Sequence, residues 1–266
     1  MGKLLHGDLT YYLRGISFQI HNELKGGHIE RYYEEALMIA LDADGVPYRN
    51  QPTFWVYYKG YRVGEYRPDF TVAEDRVILE LKAQPAISQL HKAQVLSYLA
   101  VTDAELALIM NFGAPSMQFA RVPNFLKMKA EQRLAFLPTI NLPPNWANAE
   151  LTHRILDGLC EVHQILGAGF QHKVYRRASH IELAQRGLDV QYIQQLPLHF
   201  RNTELGQRQT YLFHVEQKIL LAAVALYDLT PKHTEVMRWA MDVLNCPQGM
   251  IANFYPNRLD VRYFRK

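Results

Sequence analysis

Residues 67–83, RPDFTVAEDRVILELKA, set one carboxylate, Asp69, in a short strand. After a turn at Glu74-Asp75 they set a second carboxylate and an ammonium, Glu80 and Lys82, in a strand that is otherwise apolar. Side chains alternate along a strand, so Ile78, Glu80 and Lys82 share one face while Leu79 and Leu81 take the other. An antiparallel neighbour brings Asp69 beside them. Burying two charges is costly unless they pair or bind a cation, and carboxylate oxygens are hard ligands. A metal site explains these residues better than packing does.

The surrounding elements follow from periodicity. Leu13, Ile16, Ile20 and Leu24 predict a helix over residues 9–24, stopped by Gly26-Gly27, and a second helix follows over 29–43. Three strand-like segments come next, at 52–59, 62–72 and 76–82, read as a meander with a turn at Gly60. A helix over 86–100, a strand over 105–112 and an edge strand over 118–122 complete the set. Between Leu137 and Ala149 the three prolines of PTINLPPNWAN have the composition of a linker.

Beyond that linker the pattern begins again. A constant offset of 142 residues pairs Gly27 with Gly169, His21 with His163, Tyr33 with Tyr175, His91 with His233 and Asn111-Phe112 with Asn253-Phe254. The chain is read as two copies of one domain, over residues 1–136 and 150–266, joined by a linker at 137–149. Residues kept in both copies are assigned to the fold, and His21 and His91 are placed with them. The charged residues are not kept. At the same offset Glu30 becomes His172, Asp69 becomes Tyr211, Glu80 becomes Ala222, Lys82 becomes Val224, Gln94 becomes Val236 and Tyr98 becomes Ala240. The apolar KILLAAVA at 218–225 shows that this strand needs no charge in order to fold.

Composition narrows the class. Of the 266 residues 48% are hydrophobic and 21% charged, proportions of a globular chain with room for two cores. No apolar run of membrane-spanning length and no signal peptide is seen, which makes a cytoplasmic location the expectation. Two cysteines, Cys160 and Cys246, form neither a disulfide framework nor a zinc motif. Basic and acidic residues balance at 15 each up to residue 142, then stand at 14 to 11, ten of the 14 being Arg. Arginine suits phosphate contacts, although an ordinary solvated surface accounts equally for this excess.

Pro68-Asp69 followed by Glu80-Leu81-Lys82 resembles the PD-(D/E)xK nuclease superfamily. GGHIERYY at 26–33, GEYRPDFTV at 64–72, ILELKA at 78–83, HKAQVLSYL at 91–99 and LIMNFG at 108–113 are similar to its GxxExxY family, and the likeness covers residues 10–122 well. The second half keeps only the outline, with GAGFQHKVY at 167–175 lacking the Glu. Lys25-Gly26-Gly27 also stands where the family usually has a Gly-Pro-Gly turn.

The resemblance implies an α/β fold of two tandem restriction-endonuclease-like αβββαβ domains, each a mixed central sheet flanked by helices. It implies a divalent metal, Mg²⁺ with Mn²⁺ as substitute, held by Asp69, Glu80 and the Leu81 carbonyl, with Glu30 completing the acidic cluster. Lys82 would position or help deprotonate a water and stabilise charge on the scissile phosphate. Gln94 and Tyr98, four apart on a helix, resemble the QxxxY element of RecB-like nucleases; helix surface and core packing is the other reading of the pair. The implied function is metal-dependent hydrolysis of nucleic acid, with DNA the expected substrate, from one active site in the first copy. The second copy would be catalytically dead, pairing with the first as an intramolecular pseudo-dimer or helping to hold substrate. The alternative is a non-catalytic nucleic-acid-binding or protein-interaction module that keeps the fold.

Overall fold

Leu13, Ile16 and Ile20 fall on one stripe of a helix, and that stripe is buried in α1 (Gly7–Leu24). Tyr33, Leu37 and Leu41 do the same in α2 (Glu30–Ala43). The computed structural model describes residues 4–126, 142–255 and 259–266. It forms two units, Met1–Val56 with Gly64–Lys129, and Tyr57–Val63 with Ala130–Lys266.

The strands of the first half are β1 (Tyr48–Asn50), β2 (Phe54–Tyr58), β3 (Tyr61–Tyr66), β4 (Phe70–Val72), β5 (Val77–Lys82), β6 (Leu106–Asn111) and β7 (Gln118–Pro123), with α3 (Gln89–Val101) between β5 and β6. Five of them make one sheet in the order β1-β4-β5-β6-β7. Only β5 and β6 run parallel, because α3 returns the chain to the same end of the sheet. Every residue of β5 and β6 is buried. Val77, Leu79 and Leu81 pack with Leu106, Leu108 and Met110 beneath α1 and α2.

The meander expected over 52–82 is corrected in three ways. The segment 62–72 is two strands, because Pro68 has no N–H to give a ladder and β3 ends at Tyr66. Asp69 therefore lies immediately before β4, not in a strand. The hairpin β2-β3 forms its own two-stranded sheet, and the unforeseen strand β1 takes the place beside β4.

The second unit repeats the plan with α4 (Ala149–Leu166), α5 (His172–Gln185), β8 (Val190–Phe200), β9 (Thr203–Val215), β10 (Ile219–Val224), α6 (Pro231–Val243), β11 (Gln248–Asn253) and β12 (Asp260–Arg265). Its sheet order is β12-β11-β10-β9-β8, again with one parallel pair, β10 and β11. Where the first copy breaks at Arg67-Pro68-Asp69, the second has Gln209-Thr210-Tyr211. There β9 runs on through a bulge, Gln195 facing Gln209 and Ile193 facing Leu212, with Tyr211 at φ 54°.

This unit also takes in residues 57–63. Tyr58 Oη and Lys59 Nζ both donate to the buried Glu182 carboxylate, at 2.8 and 2.7 Å. Residues 137–141 of the expected linker lie outside the described residues. Trp146, near its end, is buried with its indole N–H on Thr152 Oγ1 at 2.8 Å.

The residues shared by the copies do the same structural work in each. Tyr33 stacks on Phe112 with ring centroids 4.7 Å apart, and Tyr175 on Phe254 at 4.5 Å. Their hydroxyls donate to the carbonyls of Lys25 and Gly167. The Asn111 side chain bonds the backbone of Gln84, as that of Asn253 bonds Leu226. His91 and His233 each close a capping box, with Ser88 and Thr230, and His21 Nε2 bonds the Ala114 carbonyl.

Candidate active site

β5 is the central strand of its sheet, and a strand covered on both faces is normally a continuous apolar run. Its two exceptions are the residues of interest. Glu80 is 1% exposed and Lys82 9%. Both lie opposite the face that Leu79 and Leu81 give to the α1 and α2 core. Lys82 Nζ donates to Glu80 Oε1 at 2.6 Å and to the Leu81 carbonyl at 2.7 Å. Glu80 Oε2 is buried and, among the described residues, has no hydrogen-bond partner.

The break at Pro68 places Asp69 across from this strand, and its Oδ2 accepts the Leu81 N–H at 2.7 Å. Burial, and then the nearby Glu80 carboxylate, push Asp69 up to about 8. Burial likewise raises Glu80, against the opposing pull of Lys82. Burial by itself would lower Lys82, but Glu80 outweighs it and the ammonium is held above the ordinary lysine range.

Glu30 opens α2, where a carboxylate is favoured by the helix N-terminus. Its Oε1 lies 3.6 Å from Lys82 Nζ. One turn on stands Glu34, and oxygens of Glu30, Glu34 and Asp69 lie within 4.8 Å of one another. Glu34 is raised by burial and accepts from Gln51 Nε2 at 3.3 Å. Sequence reasoning passed over Glu34. The signal was present, since it stands four residues after Glu30 on the same face and becomes Arg176 in the second copy.

Gln94 and Tyr98 come together, with Gln94 Nε2 donating to the Tyr98 hydroxyl at 2.7 Å. Tyr98 is buried, its ring edge-on to Tyr66. Burial and then Glu80 raise its hydroxyl far above the usual tyrosine range. Tyr98 thus combines packing with a place beside the carboxylates. The Leu81 carbonyl already accepts from Lys82.

The gathered oxygens of Glu30, Glu34 and Asp69 make an all-oxygen donor set of the kind that hard divalent cations take. Glu80 is not among those three, but it lies close enough to raise the Asp69 carboxyl. In the second copy Ala222 and Val224 carry no polar group. His172, in place of Glu30, accepts the Ala225 N–H at 2.9 Å. Burial first, and then Arg176, lower its pKa. Tyr211, in place of Asp69, lies 4.4 Å beneath the Arg176 guanidinium.

A family model described as the PD-(D/E)XK nuclease superfamily matches residues 7–122 and 149–265. The two matches begin 142 residues apart, the spacing of the internal repeat. No curated protein matches the chain. Among solved structures, one titled "Crystal structure of SSO0001" aligns over 44% of this chain and 69% of its own at 12% identity, with a TM-score of 0.30. A likeness that slight carries no argument. The family match covers most of the chain, and the chain belongs to the PD-(D/E)XK nuclease superfamily.

Proposed function

From that membership we propose that the chain is a metal-dependent nuclease that hydrolyses phosphodiester bonds of DNA, from one active site in the first copy. One contrast carries the reading. Two copies of the same framework differ where Asp69, Glu80 and Lys82 give way to Tyr211, Ala222 and Val224, so these charges serve something other than folding.

Asp69 and Glu80, with Glu30 and Glu34 from α2, would hold the cation, Mg²⁺ or Mn²⁺. Bound there, it would supply a water of lowered pKa and neutralise charge on the phosphate. Lys82, kept as an ammonium by Glu80, donates hydrogen bonds to the attacking water or a phosphate oxygen and stabilises charge as it builds. Gln94 fixes the Tyr98 hydroxyl, which stands near enough to Glu80 to feel its charge. The second copy, lacking every one of these carboxylates, is read as catalytically silent.

One observation favours a second reading, a non-catalytic module that keeps the fold: Lys82 already neutralises Glu80 and satisfies the Leu81 carbonyl, so the pair is also a self-contained ion pair. Purified chain with Mn²⁺ on labelled single-stranded and duplex DNA, beside Asp69→Asn, decides between them. Metal-dependent cleavage lost in the variant supports the nuclease. Equal products from both proteins, or no Mn²⁺ binding by calorimetry, supports the module.

A further inference from the structure

In the first copy α2 presents acid toward the site; in the second copy the matching helix, α5, presents base. Glu34 and Glu35 are replaced by Arg176 and Arg177, while Lys173 stands where the first copy already has a cation, Arg31. These three cations line a cleft of about 500 Å³ within the second unit, together with Arg62, Tyr192 and Phe213. That volume lies inside the roughly 300–1,000 Å³ range of ligand clefts and exceeds what one inorganic anion fills. Among the described residues no carboxylate lines it.

Glu182, the acid of α5, faces the other way and is matched by Lys59 and Arg186. Among the described residues Lys173, Arg176 and Arg177 form no ion pair. One wall of the cleft is aromatic: Tyr192, 45% exposed, lies 5.5 Å from Phe213, and Arg176 covers Tyr211. Cations flanking an exposed aromatic ring are the arrangement that takes a nucleic-acid strand, phosphates on the cations and a base on the ring.

We propose that this cleft binds a single-stranded phosphodiester segment, so that the second copy has exchanged a metal site for a strand-holding site. Only the choice of ligand class rests on the nuclease reading; the site itself rests on the charge reversal and the cleft. Its charge and aromatic wall favour a strand over a free phosphate, which has no use for Tyr192.

The test is anisotropy of a labelled single-stranded oligonucleotide with the full chain in EDTA, across a salt series. Lys173→Ala with Arg176→Ala is expected to weaken binding at least about tenfold and to reduce the log–log salt slope by about 1.4, two single-strand contacts. Tyr192→Ala is expected to weaken binding at least about fivefold. Lys218→Ala with Lys232→Ala, which removes the same charge elsewhere on the unit, is expected to leave both nearly unchanged, and circular dichroism checks that each variant is folded. Unchanged affinity and slope in the cleft variant would overturn the proposal, even if the chain cleaves DNA. So would a wild-type chain that binds inorganic phosphate but no oligonucleotide. Cleft-dependent binding in a chain whose hydrolysis survives Lys82→Ala would uphold this site and remove the nuclease reading instead.

Discussion

Lys82 Nζ stands 2.6 Å from Glu80 Oε1, while the second oxygen of the same carboxylate is buried without a hydrogen-bond partner among the described residues. Half of Glu80 is thus committed to its neighbour on the strand and half is left for something else. Removing Lys82 strands the carboxylate; removing both does not. Lys82→Met is expected to lose about 3–5 kcal/mol of stability. Glu80→Gln with Lys82→Met should regain most of it in urea unfolding. Both proteins should lose hydrolysis by at least about 10²–10³-fold. Cleavage retained by the double variant would sink the assignment.

Glu34 is expected to act as a fourth carboxylate of the proposed metal site. Glu34→Gln should weaken Mn²⁺ binding on the order of 10–100-fold by calorimetry. Glu35→Gln should change little, since Glu35 pairs on the surface with Arg31 at 2.8 Å. Equal affinities in the two variants would return Glu34 to the solvated face of α2.

The raised carboxyl of Asp69 gives a pH dependence with a definite sign. Folded Asp69 keeps its proton up to about 8, whereas its ordinary value is 3.8. The folded state therefore binds more protons between these values, and the stability so gained is lost as pH rises through about 8. Metal-free chain should show a falling thermal midpoint between about pH 5 and pH 8.5, with the slope flattened in Asp69→Asn. Mn²⁺ should oppose the fall, because binding needs the deprotonated carboxylates and releases protons. Identical slopes with and without the Asn substitution would refute this.

Glu182 behaves oppositely. It is buried, yet bonds to Lys59 and Arg186 overcome that burial and hold it down to about 2. Its contribution is present above its ordinary value of 4.5 and is lost as pH falls through about 2. Glu182→Ala leaves the Tyr58 hydroxyl without its acceptor and takes from Lys59 and Arg186 one of the two carboxylates each holds, Glu161 being the other. It should cost about 3–5 kcal/mol in urea unfolding at neutral pH and less in strong acid. A cost that does not change with pH would argue that packing, and not charge, sets it.

Much of this protein was legible in its sequence because the chain carries its own comparison. Tyr33 with Tyr175 and Asn111 with Asn253 marked the fold, and the loss of Asp69, Glu80 and Lys82 from the second copy marked the residues proposed for chemistry. Periodicity placed α1, α2, α3 and the buried strands β5 and β6, since one-sided burial imprints its period on the chain. Strand pairing left no such imprint. Nothing local in residues 48–50 says that β1 pairs with β4 while β2 and β3 pair only with each other, because pairing is a long-range choice among similar extended segments.

The sequence by itself determined which residue types are available for chemistry, in what order, and in which copy. Tertiary structure decided which of them meet. It brought Glu34 to Asp69 from a helix 35 positions away, turned Glu182 inward to Lys59, and gathered Lys173, Arg176 and Arg177 beside Tyr192 into one cleft. Spacing along a chain fixes neighbours only within one helix turn or one strand. Burial and electrostatic pairing act across the fold, and their energies depend on distances that only the folded chain sets.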